Sequence, residues 1–237
     1  MGDSYDGGCR SRKARAEGQE VEDMKSRMPA SRLMPILHRI LGVVALLALL
    51  PLAGAATTDL GSPGGSLRGQ LLIAAPEMDD PRFVHAVILM VQHDQGGALG
   101  IIINRPVGEV TYADLLKAIG TTGNPVPGKL RIFAGGPVEL NAGFVLHSTE
   151  YHRPETQEID GKVAMTASPD VLRDIAEAKG PKKSLVAFGY AGWGPGQLES
   201  ELMRHDWFTA DEDPALVFDD DRGLVWKDAM NRRSQAL

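Results

Sequence analysis

Phe83-Val-His-Ala-Val-Ile-Leu-Met-Val91, then Gln92-His-Asp-Gln-Gly-Gly97, then Ala98-Leu-Gly-Ile-Ile-Ile-Asn104 is the stretch that decides the fold class. The two flanking runs are apolar almost without interruption, His85 being the exception, and are rich in β-branched residues. A run of this kind reads as a strand covered on both faces, because a strand with one wet face alternates instead. The connection between them is too short for a parallel crossover, which needs a dozen or more residues. The two strands are therefore antiparallel neighbours in the middle of a sheet.

Upstream, Gln70–Ala75 is a short buried strand ended by Pro76, and Asp79-Asp80-Pro81 is a turn. Downstream, Pro106 stops the second central strand. Thr111 caps a helix running to Ile119, with Leu115, Leu116 and Ile119 on one face and Gly120 past its end. Leu130–Ala134 and Phe144–His147 are strands flanking Gly135-Gly136-Pro137-Val138, and Lys162–Thr166 is a weaker one. Ser168-Pro169 places an N-cap before proline at the first helical position, and Gly180 is expected to close that helix. Ser184–Tyr190 is a strand, Gly192–Gly196 a glycine-rich loop and Leu198–His205 a helix. Ala215–Phe218 and Leu224–Trp226 are expected to form a closing hairpin around Asp219–Gly223. Trp193, Trp207 and Trp226 are expected to pack with Phe208 as one C-terminal cluster, buried core by default, with a partner groove as the alternative. Strands outnumber helices. The expected class is α/β in the broad sense (α+β), a mixed, largely antiparallel sheet with a few flanking helices, in one compact domain over residues 67–237.

The 237 residues are 43% hydrophobic and 24% charged, as in a soluble globular protein. Cys9, the single cysteine, lies ahead of the domain, which rules out an internal disulfide, a thiolate zinc site and a cysteine nucleophile there. Beyond Ala55 lie 17 of the 25 Lys/Arg and 25 of the 31 Asp/Glu, a net charge of −8. Nucleic-acid binders draw most of their affinity from neutralising phosphates. With no basic cluster beyond Lys182-Lys183 and Arg232-Arg233, direct DNA binding is disfavoured. Residues 1–66 form a separate N-terminal region that reads as disordered apart from an apolar segment at about 36–56. There Arg32 and Arg39 precede the run Ile40–Leu52 and the small-x-small site Ala53-Gly54-Ala55, the composition of a secretory signal peptide. The run is short for a spanning helix, which needs about 20 apolar residues. An uncleaved anchor stays open, as does a start called too far upstream, with Met24, Met28 and Met34 as alternative initiators. Export or membrane association on one side and a cytoplasmic protein on the other are thus both retained.

Four constellations carry candidate chemistry. Ala191-Gly-Trp-Gly-Pro-Gly-Gln-Leu-Glu199 puts glycines between a strand and a helix, where backbone N–H groups can meet a phosphate. Its spacing is neither a dinucleotide fingerprint nor a P-loop, and Glu199 and Glu201 oppose an anion. A tight turn with Trp193 packed as a plug is the plainer reading. His85, His93, His147, His152 and His205, with Asp94 beside His93, contain no HxH, HxxxH or HExxH pair, so ordinary hydrogen-bonded histidines and no metal are expected. Ser148, Ser184 and Ser200 lack a GxSxG elbow, and His147 and Ser148, adjacent on a strand, point to opposite faces. The acid clusters Asp79-Asp80, Asp211-Glu212-Asp213 and Asp219–Asp221 read as solvated turns.

In order along the chain, Gly69–Pro76, Met78–Phe83, His93–Gly100, Ile103–Pro106, Gly135–Val138, Gly143–Ser148 and Gly189–Glu199 resemble the signature blocks of the AlgH/YqgE family. The resemblance spans about Leu67 to Trp226, and the ordered combination is far more specific than any one block. It implies a compact α/β or α+β domain with no known cofactor. The family carries a transcriptional-regulator label, from a link to alginate regulation, but no agreed catalytic residues. Its members are typically cytoplasmic, so the export-like leader is a departure.

Two functional classes follow. The preferred one is a non-enzymatic binding or regulatory protein, whose partner is a protein or a small ligand. It would act through loops that include His93, Asp94, Gly135, Gly136, His147, Trp193, Gly194, Gly196 and Gln197. The alternative is a hydrolase acting on a phosphorylated or nucleotide substrate, using the glycine loop with His93 or His147. The two classes differ in whether those histidines and glycines share one cleft.

Overall fold

The computed structural model describes residues 65–233. The segment at 36–56, with its signal-peptide, anchor and alternative-start readings, lies outside the described residues. Within them the strands are β1 (Gln70–Ala74), β2 (Val87–Asp94), β3 (Gly97–Ile102), β4 (Pro106–Thr111), β5 (Lys129–Ala134), β6 (Val138–Ser148), β7 (Thr156–Glu158), β8 (Val163–Thr166), β9 (Ser184–Trp193) and β10 (Trp207–Asp211). The helices are α1 (Tyr112–Ala118), α2 (Pro169–Ala176), α3 (Gln197–Met203), α4 (Pro214–Val217) and α5 (Val225–Asn231).

All pairings are antiparallel except that of β5 with β9. The main path runs β10-β1-β2-β3-β9-β6-β8-β7, with β4 and β5 forming a branch that joins β9. The hub is β9. One of its edges pairs with β6 from Ser184 to Tyr190. The other is shared: β5 takes Val186–Phe188 and β3 takes Ala191–Trp193. The handover falls at Gly189 (φ +75°), opposite Gly135 and Gly136 (φ +155°). Gly135 stitches the two neighbours together, its N–H donating to Phe188 O (2.7 Å) and its carbonyl accepting from Ile102 N–H (2.8 Å). A Cβ on Gly136 would land on the Tyr190 carbonyl, and one on Gly189 would sit 2.5 Å from Gly136 O.

The core follows from side-chain alternation. Leu71, Ile73, Val87, Leu89 and Ile101 face one side, against Leu216, Val217, Val225, Ala229 and Met230 of α4 and α5. Leu72, Ala74, Ile88, Met90 and Ile102 face the other, with Trp193, Trp207 and Leu198 of α3. Beside the branch, α1 and α2 cover Leu130 and Ile132 of β5 together with Val145 of β6 and Val186 of β9. These central strands are buried on both faces, which is why their sequences run apolar without alternation.

Several elements differ from the sequence reading. The expected C-terminal hairpin is two helices. Asp213 accepts from Ala215 N–H with Pro214 at the first helical position, and Val225, Ala229 and Met230 recur at helical spacing. Phe83–His85 form a turn ahead of β2, with His85 at φ 55° and its ring 4.3 Å from that of Trp226. The supposed loop from Gly192 is partly strand, since β9 runs through Trp193. Strands β4, β7 and β10 were not foreseen. In β4, Pro106 begins an edge strand paired only with β5, a place where proline's missing donor costs nothing. The four-residue aromatic cluster is divided: Trp193 and Trp207 pack on one face, Phe208 and Trp226 on the other, because Trp207 and Phe208 are successive residues of a strand. Helix α2 is closed not by Gly180 but by Ala178 (φ 58°), two residues past its end, whose N–H donates to Ile175 O while Lys179 N–H reaches Asp174 O.

The sheet curls until the β7–β8 turn meets the end of β10, where Lys162 Nζ lies 3.4 Å from Glu212 Oε2. The Glu212 side chain is wholly buried and both its carboxyl oxygens lack a hydrogen-bond partner in good geometry. Burial, reinforced by neighbouring Asp160, pushes its pKa up to about 8, so the folded state holds it neutral.

Three stability measurements test this description. Gly136→Ala is expected to cost at least about 3 kcal/mol, since backbone must move to admit the methyl group. Ala178→Gly relieves a left-handed alanine and should add about 0.5–1 kcal/mol in chemical denaturation. A raised folded pKa means that Glu212 costs nothing below its unfolded value and destabilises progressively as pH rises toward the folded one. Glu212→Gln should therefore leave the melting temperature unchanged near pH 4.5 and raise it at pH 8.

Candidate functional site

The last residues of β9 lead through Gly194–Gly196 into α3, and that junction builds a site. Gly196 enters the helix at φ 73°, and Gly194 N–H donates to Gln197 Oε1 (3.1 Å). Gln197 Nε2 then donates to Glu201 Oε1 (2.9 Å), one helical turn on. The other carboxyl oxygen, Glu201 Oε2, accepts the indole N–H of both Trp193 (2.9 Å) and Trp207 (2.8 Å). The two indoles meet edge to face at 5.9 Å, and Phe83 continues the series against Trp207 at 5.5 Å. What brings Trp207 back is the end of α3. His205 (φ 61°) donates to Leu202 O and Asp206 N–H to Glu201 O, both 3.0 Å, which turns the chain into β10.

These groups form one side of a cleft of about 620 Å³. Its walls are the Met78–Phe83 loop, Pro137-Val138 after the paired glycines, Gly192-Trp193, and α3 with the turn Arg204–Trp207. The size is that of a small-molecule or short-segment site. Arg82 is tied to Asp80 (2.7 Å) and Arg204 to Asp206 (2.7 Å). The bond to Arg82 holds the Asp80 carboxyl below the usual carboxylate range.

Of the residues singled out from the sequence, Trp193 and Gln197 line the cleft, and Gly194 and Gly196 shape its turn. Gly135 and Gly136 are buried against β9 and reach the cleft only through Pro137 and Val138. His93 is buried behind it. Leu67 N–H donates to Nδ1 (3.0 Å), so Nε2 carries the proton donated to Glu199 Oε1 (2.9 Å). That contact, after the helix's own backbone, lowers the pKa of Glu199. Asp94 accepts from Gly96 N–H (2.7 Å) and from Gln92 Nε2 (2.8 Å), closing the β2–β3 turn. His147 lies in the β6–β8 ladder, away from the cleft, with no exposed surface. Its Nδ1–H donates to Ser148 O, leaving Nε2 to accept from Thr166, which accepts in turn from Thr156. Burial lowers its pKa and keeps it neutral. The sequence reading missed Glu201 as a site residue and placed Trp207 only in an aromatic cluster with a groove as its second reading. The signal for the former was its place four residues after Gln197. Among the described residues no group of three His, Cys, Asp or Glu is placed to hold a metal ion.

The fold and cleft define a compact, mixed α+β protein with an aromatic-lined cleft at the end of its central strand. The AlgH-like family model matches residues 71–236, and the chain belongs to that family. A UPF0301 protein of Jannaschia sp. is 47% identical over 166 residues, covering 69% of this chain and 86% of the relative. One from Rhizorhabdus wittichii is 45% identical over 165 residues, covering 70% and 88%. The solution structure of AlgH from Pseudomonas aeruginosa is similar at a TM-score of 0.60 and 40% identity, covering 73% of this chain and 90% of that one. A Corynebacterium diphtheriae protein shares the fold at a TM-score of 0.56 and 22% identity, covering 71% and 87%.

Removing the hub of this site leaves two largely buried indole N–H groups without an acceptor. Glu201→Ala should therefore cost about 2–4 kcal/mol. Trp193→Ala should cost roughly 3–5 kcal/mol, as for a buried large aromatic side chain. Urea titration reads both, and an unchanged midpoint for either would place that residue outside the packed wall.

Proposed function

We propose that this protein is a binding protein of regulatory type, acting through protein or small-ligand contacts at the aromatic cleft, and not an enzyme. The observation that carries this reading is the Glu201 carboxylate, oriented by three N–H donors from the cleft's own walls. A group held this way is built to recognise a ligand in one geometry. The hydrolase alternative draws on His93 or His147 beside the glycine loop. It is weakened because neither histidine lines the cleft: one is tied up with Glu199 and Leu67, the other with Thr166 and Ser148. A phosphate would also meet the carboxylates of Glu77, Asp79 and Glu201, while both guanidiniums are already paired. The net charge of −8 beyond Ala55 speaks against direct operator contact, so a role in transcription would run through a protein or ligand.

The test is a ligand titration of the ¹⁵N-labelled full chain, read at the three indole N–H signals. Trp193 and Trp207 should shift together while Trp226, bonded to Ala74 O on the other face, stays put. Nucleotides and phosphomonoesters should not be turned over. Turnover that is lost in His93→Ala would return the hydrolase reading.

A further inference from the structure

We propose that the cleft takes a lysine or arginine side chain presented by a peptide segment of a partner protein. This rests on the binding reading above and adds the charge and class of the ligand. Five carboxylates line the cleft, on Glu77, Asp79, Asp80, Glu201 and Asp206, against two guanidiniums and the His205 imidazole. Both cations are committed to the acids beside them, Arg82 to Asp80 and Arg204 to Asp206. Glu77 and Asp79 have no hydrogen bond or ion pair among the described residues. Glu201 has three donors, but all are neutral: they orient its charge without cancelling it. Three carboxylates on two opposing walls therefore lack a counter-charge. Glu77 and Asp79 are exposed and Glu201 is half-buried, so a ligand cation lodged between them gains most as it displaces the water there.

The apolar part of the site fits the stem of such a side chain. Lysine and arginine pack their methylenes along apolar surface while the charged head stays with its partner. Met78, Phe83 and Val138 supply that surface. The Phe83 ring already accepts a guanidinium, that of Arg82, at 5.6 Å. A peptide is favoured over a free amine by the backbone at the cleft floor. Pairing of β9 with β6 ends at Tyr190, so Ala191–Trp193 pair with β3 on one edge only. Gly192, exposed and without a side chain, lines the cleft at that open edge. An extended segment can add its own N–H and C=O groups there while alternate side chains reach the acidic walls.

The experiment titrates the full chain with a blocked pentapeptide, Ala-Arg-Leu-Arg-Ala, with its citrulline counterpart, with an acidic counterpart carrying Glu for Arg, and with spermidine. The arginine peptide should shift the Trp193 and Trp207 indole signals and weaken several-fold between 50 and 500 mM salt. The citrulline peptide should bind at least about tenfold more weakly, and so should the arginine peptide to Glu77→Gln/Asp79→Asn. Glu155→Gln, a charge change outside the cleft, should bind as the parent does. Citrulline or acidic peptides binding as tightly as the arginine peptide would overturn the charge assignment and leave the cleft as the binding site. Tighter binding of spermidine would overturn the peptide source. No response of the two indoles to any probe would overturn both this inference and the binding reading.

Discussion

The close approach of Gly135-Gly136 to Gly189 is the constraint on which the rest of the structure depends. A central strand can change neighbours along one edge only if the departing and arriving chains both pass it without side chains in the way. Here backbone lies against backbone at the handover, and Gly135 donates to one strand and accepts from the next. The branch and the main path thereby become one sheet. The same crossing sets the site, because Pro137-Val138 leave it on one side and Ala191–Trp193 on the other, to become two walls of the cleft.

Buried polar groups divide into two kinds. The His147 chain is fully accounted for, every donor finding an acceptor from Thr156 through Thr166 to the Ser148 carbonyl. Such a network fixes register without demanding a charge. The Glu201 hub is satisfied in hydrogen bonds and not in charge, and it faces a cleft. The difference between a closed network and an open one separates a structural histidine from a recognition carboxylate here. Both residues are polar groups within β or helix packing, and sequence alone does not distinguish them. Glu212 is a third case, buried where the curled sheet closes and neutralised there at an energetic cost.

Much of the fold was legible because its central strands are covered on both faces. The runs around Met90 and Ile102 read as inner strands, and Thr111 and Ser168-Pro169 mark helix starts through local capping chemistry. The errors fall where short segments borrow their structure from neighbours. Leu224–Trp226 looks like a strand until Ala229 and Met230 complete a helical stripe, and β10 exists because β1 offers it an edge. The family was legible from its ordered blocks. The cleft was half legible: Trp193 and Gln197 stood in a conspicuous glycine motif, whereas Glu201 and Trp207 sit in unremarkable sequence and become a site only through the turn at His205.

Native-state hydrogen exchange tests the central claim most directly. If the crossing at β9 holds the sheet together, the Gly135 and Ile102 amides, bonded to Phe188 O and Gly135 O, exchange only through global unfolding. Their opening free energies should then equal the stability measured in denaturant and exceed those of peripheral β7. Exchange of these two amides at lower free energy than the β1–β2 ladder would mean that the branch opens independently. The sheet, and the cleft built on it, would then not depend on that crossing.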